Sequence, residues 1–250
     1  MKALRLLRLL LYSIVILFFG VENGAAFNYL PLSPEGSQTI TYTQFTLSYN
    51  EEHEQPNWVA YEITVEEVAM QRDRCDCFEK DDAVLGKSAT KADYRSSGFD
   101  RGHMCPAAVN NMSEEANRES FLMSNMSPQL PSFNRGIWAD LEAWVRNQVE
   151  IYGILYVVTG PVFKGVLGAI GDNEVTIPGY FYKVLLRFDD SKPRTIAFLL
   201  PHVGATGEIK DYVVPVNTIE TLTGLDFFPS LENSIENRVE AQYQLKKWGF

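Results

Sequence analysis

Histidine and cysteine are scarce in this chain of 250 residues, which contains three of each. The histidines are His53, His103 and His202, and the cysteines are Cys75, Cys77 and Cys105. Four cysteines at the spacing of a structural zinc site are absent, so such a site is not expected. Internal repeats and low-complexity tracts are also absent. Any site chemistry must therefore depend on few histidines, and each one needs to be examined in its local sequence.

Basic residues are outnumbered, since 22 Lys and Arg stand against 32 Asp and Glu, a net charge of −10. A strongly acidic protein does not bind polyanions nonspecifically. Action on nucleic acid would require a local basic patch or a bound metal ion. Hydrophobic residues make up 46% of the chain, which supports a packed core and argues against disorder.

Long apolar runs are missing after residue 26, so no later segment is expected to cross a bilayer. The first 26 residues combine a basic start, about 12 apolar residues and a small-residue end, which is typical of a secretory signal. We expect cleavage near Ala25–Ala26, with an uncleaved membrane anchor as the alternative. Cleavage leaves a chain of net charge −12, exported to the periplasm or the medium and without stable membrane association.

The remainder, residues 27–250, is interpreted as a single domain with mixed strands and helices. Residues 27–56 are expected to be an irregular leader, and residues 65–84 a loop. Helices are predicted at 110–121, with Ser113 as N-cap, and at 135–153, where apolar residues recur at helical spacing. Strands are predicted at 57–65, 154–162, 179–188 and 195–202, and near 211–216. Without strict βαβ alternation, this order indicates an α+β fold around a mostly antiparallel sheet.

His103 lies in the segment GFDRGHMCPA (98–107), behind an acid, an arginine and a glycine. A neutral imidazole can take a proton from water at pH 7. Asn134 and Glu142 could hold a hard cation, and nearby arginines such as Arg146 could clamp a phosphate. Together these groups can hydrolyse a phosphodiester. Two simpler readings stay open: a surface ion pair between Glu142 and Arg146, and Asn134 as the N-cap of its helix.

Three segments in this order, GFDRGHMCPA, FLMSNMSPQ (121–129) and FNRGIWADLEAWVR (133–146), resemble the DNA/RNA non-specific endonuclease family with its Asp-Arg-Gly-His motif. The likeness extends over most of residues 27–250. It implies an α+β fold whose mostly antiparallel central sheet is flanked by helices and carries a ββα-metal (His-Me finger) site.

The resemblance also implies roles for individual residues. His103 matches the general base, and Asn134 matches the direct ligand of Mg²⁺, for which Mn²⁺ could substitute. Glu142 matches the acid that binds the ion through water. The other matches are phosphate contacts at Arg146, Arg101 and Arg74, a supporting residue at Asn125, and a structural brace at Asp100. Arg72 competes with Arg74 for the same place in the pattern.

The cysteines carry a separate expectation. Cys75 and Cys77 are poorly spaced to bridge each other, which favours a disulfide from one of them to Cys105; three reduced thiols are the alternative. The resemblance favours the same bridge, because it puts Arg74 and His103 at the border of one site.

The expected function is an exported, metal-dependent endonuclease that cuts DNA or RNA and leaves 5′-phosphate products. Its contacts would be to phosphates, which carry no sequence information, because the chain has no recognition helix, zinc finger or RNP-type motif. Alternatives are an inactive nucleic-acid-binding protein, a phosphodiesterase for a smaller diester, and an exported structural or adhesive protein. Some members of the family are dimers, so a homodimer is compatible with the resemblance.

Overall fold

The computed structural model describes residues 28–250, so the expected signal segment lies outside the described residues. The strands are β1 (Gln38–Thr41), β2 (Thr46–Asn50), β3 (Gln55–Thr64), β4 (Asp100–His103), β5 (Met126–Gln129), β6 (Ile154–Val162), β7 (Gly168–Ile170), β8 (Val175–Ile177), β9 (Tyr180–Asp189), β10 (Lys192–Pro201) and β11 (Val213–Val214). The helices are α1 (Val65–Ala69), α2 (Lys91–Tyr94), α3 (Glu114–Glu119), α4 (Pro131–Asn134), α5 (Ile137–Tyr152), α6 (Val216–Thr223) and α7 (Asn233–Glu240). No helix among these residues is long and apolar enough to cross a bilayer.

A seven-stranded sheet in the order β1-β2-β3-β6-β9-β10-β11 forms the centre of the fold, and every neighbouring pair is antiparallel. Strand β6 reads ILYVVTGPV and is buried on both faces from Val157 onward. Successive side chains point to opposite faces of a strand, so a continuous apolar run indicates that both faces are covered. The predicted α+β fold with a mostly antiparallel central sheet is confirmed.

Two layers of helix and loop cover the sheet. On one face, α5 packs its buried Trp138, Leu141, Val145 and Val149 against the strands, as its helical spacing predicts. On the other face, Val216 and Ile219 of α6 pack with the sheet and with Phe227 and Phe228. Each fully buried Leu or Phe contributes about 1.5–3 kcal/mol relative to an exposed one. These two layers fix the position of α5, whose first turns carry Glu142.

The prediction of an irregular leader at residues 27–56 is wrong. Strands β1 and β2 lie within it and pair with each other and with β3, and Leu47 and Tyr49 are fully buried. The sequence of this segment indicates a loop because Thr, Ser and Asn interrupt its apolar residues. The fold accommodates these groups within the sheet, where Asn57 donates a hydrogen bond to the buried Ser48 hydroxyl at 3.3 Å.

A smaller unit lies beside the main sheet and carries the Asp-Arg-Gly-His motif. Strands β4 and β5 pair antiparallel, with Gly102 opposite Ser127 and His103 opposite Met126. The chain then enters α4 and α5, so two strands and a helix form the ββα arrangement that the resemblance implies. A third apolar cluster, which includes Phe78, Phe121, Met123 and Met126, lies beneath this unit and supports it.

Candidate active site

His103 is the last residue of strand β4 in the ββα unit, and Gly102 allows β4 to lie close to β5. A Cβ atom at residue 102 would overlap the side chain of Gln129, which is fully buried. Gly102 lies within a regular strand, where the missing side chain allows the close approach of β5.

The two ring nitrogens of His103 differ in their surroundings. Nε2 is buried and has no hydrogen-bond partner among the described residues, and the ring lies edge-on to Phe121 at 5.0 Å between centroids. Nδ1 also makes no hydrogen bond to a described residue, but unlike Nε2 it is not fully buried. Solvent therefore reaches Nδ1, which can accept a proton if the proton of the neutral ring resides on Nε2.

The pKa of His103 is lowered to about 3, mainly by burial, with the positive charges of Arg74 and Arg101 contributing to the decrease and Asp76 opposing it. The imidazole is consequently neutral at physiological pH. Arg101 lies over the Phe78 ring at 4.1 Å and Arg74 lies over the Phe121 ring at 4.8 Å. Two cation–π contacts thus hold two guanidinium groups beside the histidine.

Asp100 ties the motif to the start of the long helix. Its carboxylate accepts a hydrogen bond from Asn134 Nδ2 at 3.0 Å and a two-pronged interaction from Arg135 at 2.7 and 2.8 Å. The hydrogen bond from Arg135 holds the pKa of Asp100 below its usual range. This geometry agrees with the predicted structural brace, because both carboxylate oxygens are engaged by α4 and the residue after it.

Asn134 ends α4, and its amide is oriented by the bond to Asp100. Its Oδ1 atom makes no hydrogen bond to a residue in 28–250, so a carbonyl oxygen remains available at the opening. The alternative in which Asn134 caps the long helix is wrong, since Gly136 occupies the N-cap of α5. Asn134 lies too early in the chain for that cap, because it belongs to α4.

Glu142 projects from α5 toward the sheet and lies near a buried lysine. Glu142, Arg146 and Lys183 line one small internal cavity. Burial raises the pKa of Glu142, while Lys183, Arg146 and Arg74 oppose the increase. Lys183 Nζ donates to Thr159 Oγ1 at 2.7 Å, and burial lowers its pKa to about 8. No ion pair within 4 Å joins Glu142 to Arg146 in the described part of the chain. The hypothesis that they form a surface ion pair is therefore wrong.

An open cleft of about 610 Å³ is lined by Asn134 and by the arginines of the motif, but not by His103, Glu142 or Arg146. We call it the motif cleft; its lining includes Arg74, Asp76, Phe78, Lys91, Arg95, Asp100, Arg101, Asn134 and Arg135. A second opening of about 430 Å³, the side pocket, is lined by Arg72, Arg74, Arg146 and neighbouring residues. Arg74 lines both, so the structure joins the arginines of the motif to Arg146 through one side chain.

Asn125 lies apart from the cleft surface and is fully buried. Its Oδ1 accepts from Cys105 N at 2.9 Å, and its Nδ2 donates to the carbonyls of Cys105 and Ser120 at 2.9 and 2.8 Å. With these bonds made, Asn125 fixes the chain that follows His103 and does not contact a ligand in the cleft.

The predicted bridge to Cys105 is wrong. The disulfide joins Cys75 to Cys77, whose Cα atoms are 5.1 Å apart, and Cys105 is a buried free thiol beside Asn110. The intervening Asp76 has a φ of 49°, in the left-handed region, which turns the chain back on itself and brings the two cysteines together. Asp76 also accepts from Arg74 Nε at 2.7 Å, so the bridge encloses a residue that contacts the cleft arginine.

Several residues at the site are not indicated by any sequence motif. Phe78 and Phe121 hold the two arginines, Lys183 lies under Glu142, and Lys91 and Arg95 extend the basic lining. None belongs to the three matching segments except Phe121, and only the fold brings the others close. His202 has a structural role, because its Nε2 accepts a hydrogen bond from Leu130 N at 2.8 Å, which anchors the start of α4.

The residues present suit a mostly hydrated cation better than a fully protein-bound one. Within residues 28–250, no three His, Cys, Asp or Glu side chains converge as a metal-ligand group. The free Asn134 oxygen and the Glu142 carboxylate are hard donors of the kind that Mg²⁺ prefers, and Mg²⁺ usually keeps several waters.

Comparisons with known proteins agree with this geometry. Residues 23–234 match the model of the DNA/RNA non-specific endonuclease family. The chain is 33% identical to human mitochondrial endonuclease G over 79% of its own length and 72% of that protein, and 33% identical to a nuclease of Nostoc sp. over 90% and 86%. It is also 33% identical to the zebrafish mitochondrial nuclease EXOG over 80% of its length, but spans only 64% of that relative.

A solved structure supports the same assignment. One chain from a crystal structure of the EndoG/EndoGI complex, which addresses EndoG inhibition, superposes with a TM-score of 0.73 at 32% identity. The alignment covers 78% of this chain and 87% of that one. With the family model, the relatives and the ββα unit in agreement, the chain belongs to the DNA/RNA non-specific endonuclease family.

Proposed function

We propose that this protein is a metal-dependent endonuclease that hydrolyses phosphodiester bonds of DNA or RNA in the motif cleft and leaves 5′-phosphate ends. The observation that carries the proposal is the neutral His103, whose accessible Nδ1 lies beside the guanidinium groups of Arg74 and Arg101, and both arginines line the basic motif cleft. Relatives named as nucleases support the polymer substrate.

A divalent cation fits the donor set, with Mg²⁺ as the proposed ion and Mn²⁺ as a substitute. Asn134 Oδ1 would bind it directly and Glu142 would bind it through water. When bound, the ion supplies positive charge that stabilises the negative charge developing on the phosphate and the leaving oxygen. Asp100 contributes by holding the amide of Asn134 in one orientation.

His103 acts on the water. Its Nδ1 removes a proton as the water oxygen forms a bond to phosphorus, and the bond from phosphorus to the 3′ oxygen breaks on the opposite side. The leaving oxygen takes a proton from solvent, and the imidazolium later returns its proton to solvent. General base catalysis contributes about 10²–10⁴-fold.

Arg74, Arg101 and Arg146 bind the non-bridging phosphate oxygens and orient the diester. Arginine suits this task because its planar fork forms two parallel hydrogen bonds to a phosphate. The phenylalanine contacts of Arg74 and Arg101 restrict their motion before substrate arrives. Arg74 is the residue of the open Arg72/Arg74 choice that lines both openings, so we assign the phosphate contact to it.

A plasmid-nicking assay with Mg²⁺, Mn²⁺ or EDTA tests the proposal. We expect cleavage with either metal ion, none with EDTA, and a loss of at least about 10²-fold for His103→Ala. His53→Ala is the matched control, because His53 stacks on Phe163 at 3.7 Å and its Nδ1 is hydrogen-bonded to Thr176 Oγ1 at 3.0 Å. Native-rate cleavage by His103→Ala would refute the assignment.

Two further measurements separate the alternatives. Retained DNA affinity in a wild-type protein that does not cut would indicate an inactive binding protein. Faster turnover of small diesters than of polymer would indicate a phosphodiesterase for a smaller substrate. End-labelling of products with and without phosphatase identifies the 5′-phosphate.

The export proposal rests on the composition of residues 1–26. Expression of the whole chain with a C-terminal tag, followed by fractionation and N-terminal sequencing, tests it. A mature protein that starts near residue 27 in the periplasm or medium is expected, whereas an intact N-terminus in the membrane fraction would indicate an anchor.

A further inference from the structure

A second basic opening lies away from the motif cleft, at the start of β10. It is a pocket of about 400 Å³ whose lining includes Lys192, Arg194, Arg238 and Lys247, and no acidic residue. We call it the C-terminal basic pocket. Lys192, Arg238 and Lys247 are exposed and form no ion pair or side-chain hydrogen bond within residues 28–250.

This concentration of charge contrasts with the acidic composition of the chain. Residues 28–250 contain 19 Lys and Arg against 31 Asp and Glu. Eleven of these cations line the motif cleft, the side pocket or the C-terminal basic pocket, where Asp76 and Asp100 are the acids. Glu240, two residues after Arg238, does not offset the pocket's charge, since burial raises its pKa to about 9 and leaves it neutral at pH 7.

Residues near the C-terminus form part of the pocket wall, and contacts with the sheet hold them in place. Arg187 lies over Tyr152 at 3.6 Å and over Trp248 at 4.6 Å, and donates to the carbonyl of Lys247 at 2.6 Å. Trp248 Nε1 donates to Thr195 O at 3.2 Å. Asp189 pairs with both Arg187 and Arg194. These interactions hold Lys247 beside β10, so the cations converge before any ligand binds.

Two elements run from near this pocket toward the ββα unit, and their lengths set the scale of the separation between the two openings. Strand β10 starts at Lys192 and ends beside His202, which anchors Leu130 at the start of α4. Ten strand residues span about 30 Å at a rise of about 3.3 Å. Helix α5 starts just after Asn134, and Tyr152 at its end donates to Lys247 O. Sixteen helical residues span about 24 Å.

We propose that the C-terminal basic pocket is an exosite that binds backbone phosphates of the same polymer that enters the motif cleft. The inference rests on the proposed nuclease function. A separation of about 24–30 Å corresponds to about 7–9 base pairs at about 3.4 Å per step. Short substrates therefore occupy the cleft alone, whereas longer ones also reach the exosite and bind more tightly.

The test uses two labelled DNA hairpins, with stems of about 5 and about 20 base pairs, and fluorescence anisotropy on the His103→Ala protein. In that background, the triple variant Lys192→Gln, Arg238→Gln, Lys247→Gln should bind the long hairpin about 10-fold more weakly or worse and the short one unchanged. The salt slope for the long hairpin should fall by about 2–3, which is about one for each phosphate that the variant no longer neutralises.

A matched control removes three exposed lysines that line none of the three openings: Lys87→Gln, Lys164→Gln and Lys210→Gln. It changes net charge equally and should bind both hairpins nearly as the parent does. Equal weakening of both hairpins by the exosite triple, or equal effects of the two triples, would overturn the inference. Cleavage of the same hairpins by the wild-type protein is measured in parallel. If the protein does not cut them but the exosite triple variant still loses affinity for the long hairpin alone, the nuclease proposal is wrong and the exosite proposal is supported.

Discussion

At the residue scale, burial keeps the imidazole of His103 neutral, and a neutral imidazole can act as a base. A histidine whose folded pKa is about 3, against 6.5 when unfolded, binds fewer protons in the folded state between these values. Bound phosphate would neutralise Arg74 and Arg101 and thereby raise the pKa of His103. The free protein is therefore expected to hold the imidazole neutral over a wide pH range, with its proton affinity increasing when substrate arrives.

The same shift predicts a pH-dependent stability. The contribution of neutral His103 is fully present above pH 6.5 and is lost as pH falls toward 3, because the unfolded state gains a proton that the folded state does not. The slope is at most about 1.4 kcal/mol per pH unit. His103→Asn should flatten the decline relative to wild type in urea unfolding between pH 6.5 and 3. Parallel curves for the two proteins would contradict the buried, neutral histidine.

The Cys75–Cys77 bridge gives a second prediction at this scale. Because it encloses Asp76, which pairs with Arg74, replacing both cysteines with serine should loosen Arg74 and lower kcat/KM about 10-fold. Thermal stability should change little, since the closed loop is very short. Cys105→Ala is the control and should leave nuclease activity near wild type. Unchanged kcat/KM in the double serine variant would show that the bridge does not position Arg74.

Strands β4 and β5 with helices α4 and α5 form the unit that assembles the site at the element scale. Asp100 joins the first strand to Asn134 and Arg135, and Asn125 joins the turn after His103 to its neighbours. The site residues therefore move together with the ββα unit. Packing between β4 and β5 should control activity without touching the reacting groups.

Gly102→Ala tests this coupling, because the new Cβ would overlap Gln129. We expect the variant to be less stable by about 1–3 kcal/mol and to have a reduced kcat. Gln129→Ala in the same chain makes room for the methyl group and should restore part of both, which a double-mutant cycle measures. Additive effects in the double variant would indicate that Gln129 is not the obstacle.

The whole molecule presents basic openings on an acidic body. Sequence charge alone argues against nucleic-acid binding, whereas the distribution of charge in the fold permits it at defined places. Electrostatic attraction is then local and opposed by the rest of the surface. Phosphate neutralisation by lysine and arginine should dominate the affinity and make it sensitive to ionic strength.

Cleavage should consequently fall steeply with salt. Plotting log kcat/KM for a long duplex against log salt concentration should give a straight line whose negative slope is about 0.9 per phosphate bound. Hydrolysis of a small diester, measured in the same buffers, should depend much less on salt. Similar salt responses for the two substrates would argue against binding of any phosphate beyond the scissile one.

The sequence by itself determined the features that repeat over short distances or reside in contiguous motifs. The apolar spacing of α5 and the branched, aromatic strands β6, β9 and β10 were predictable because side-chain direction follows helical or strand period. The three motif segments indicated the family and brought forward His103, Asn134, Glu142 and Arg146.

Only the tertiary structure decided which distant residues meet. The left-handed Asp76 selected the cysteine pairing, and strand pairing drew the polar residues of β1 and β2 into the sheet. Burial distinguished the two nitrogens of His103, and the locked end of the chain gathered Lys192, Arg238 and Lys247. These outcomes depend on interactions between segments that are far apart in the chain, and a local sequence pattern does not indicate which distant segments will interact.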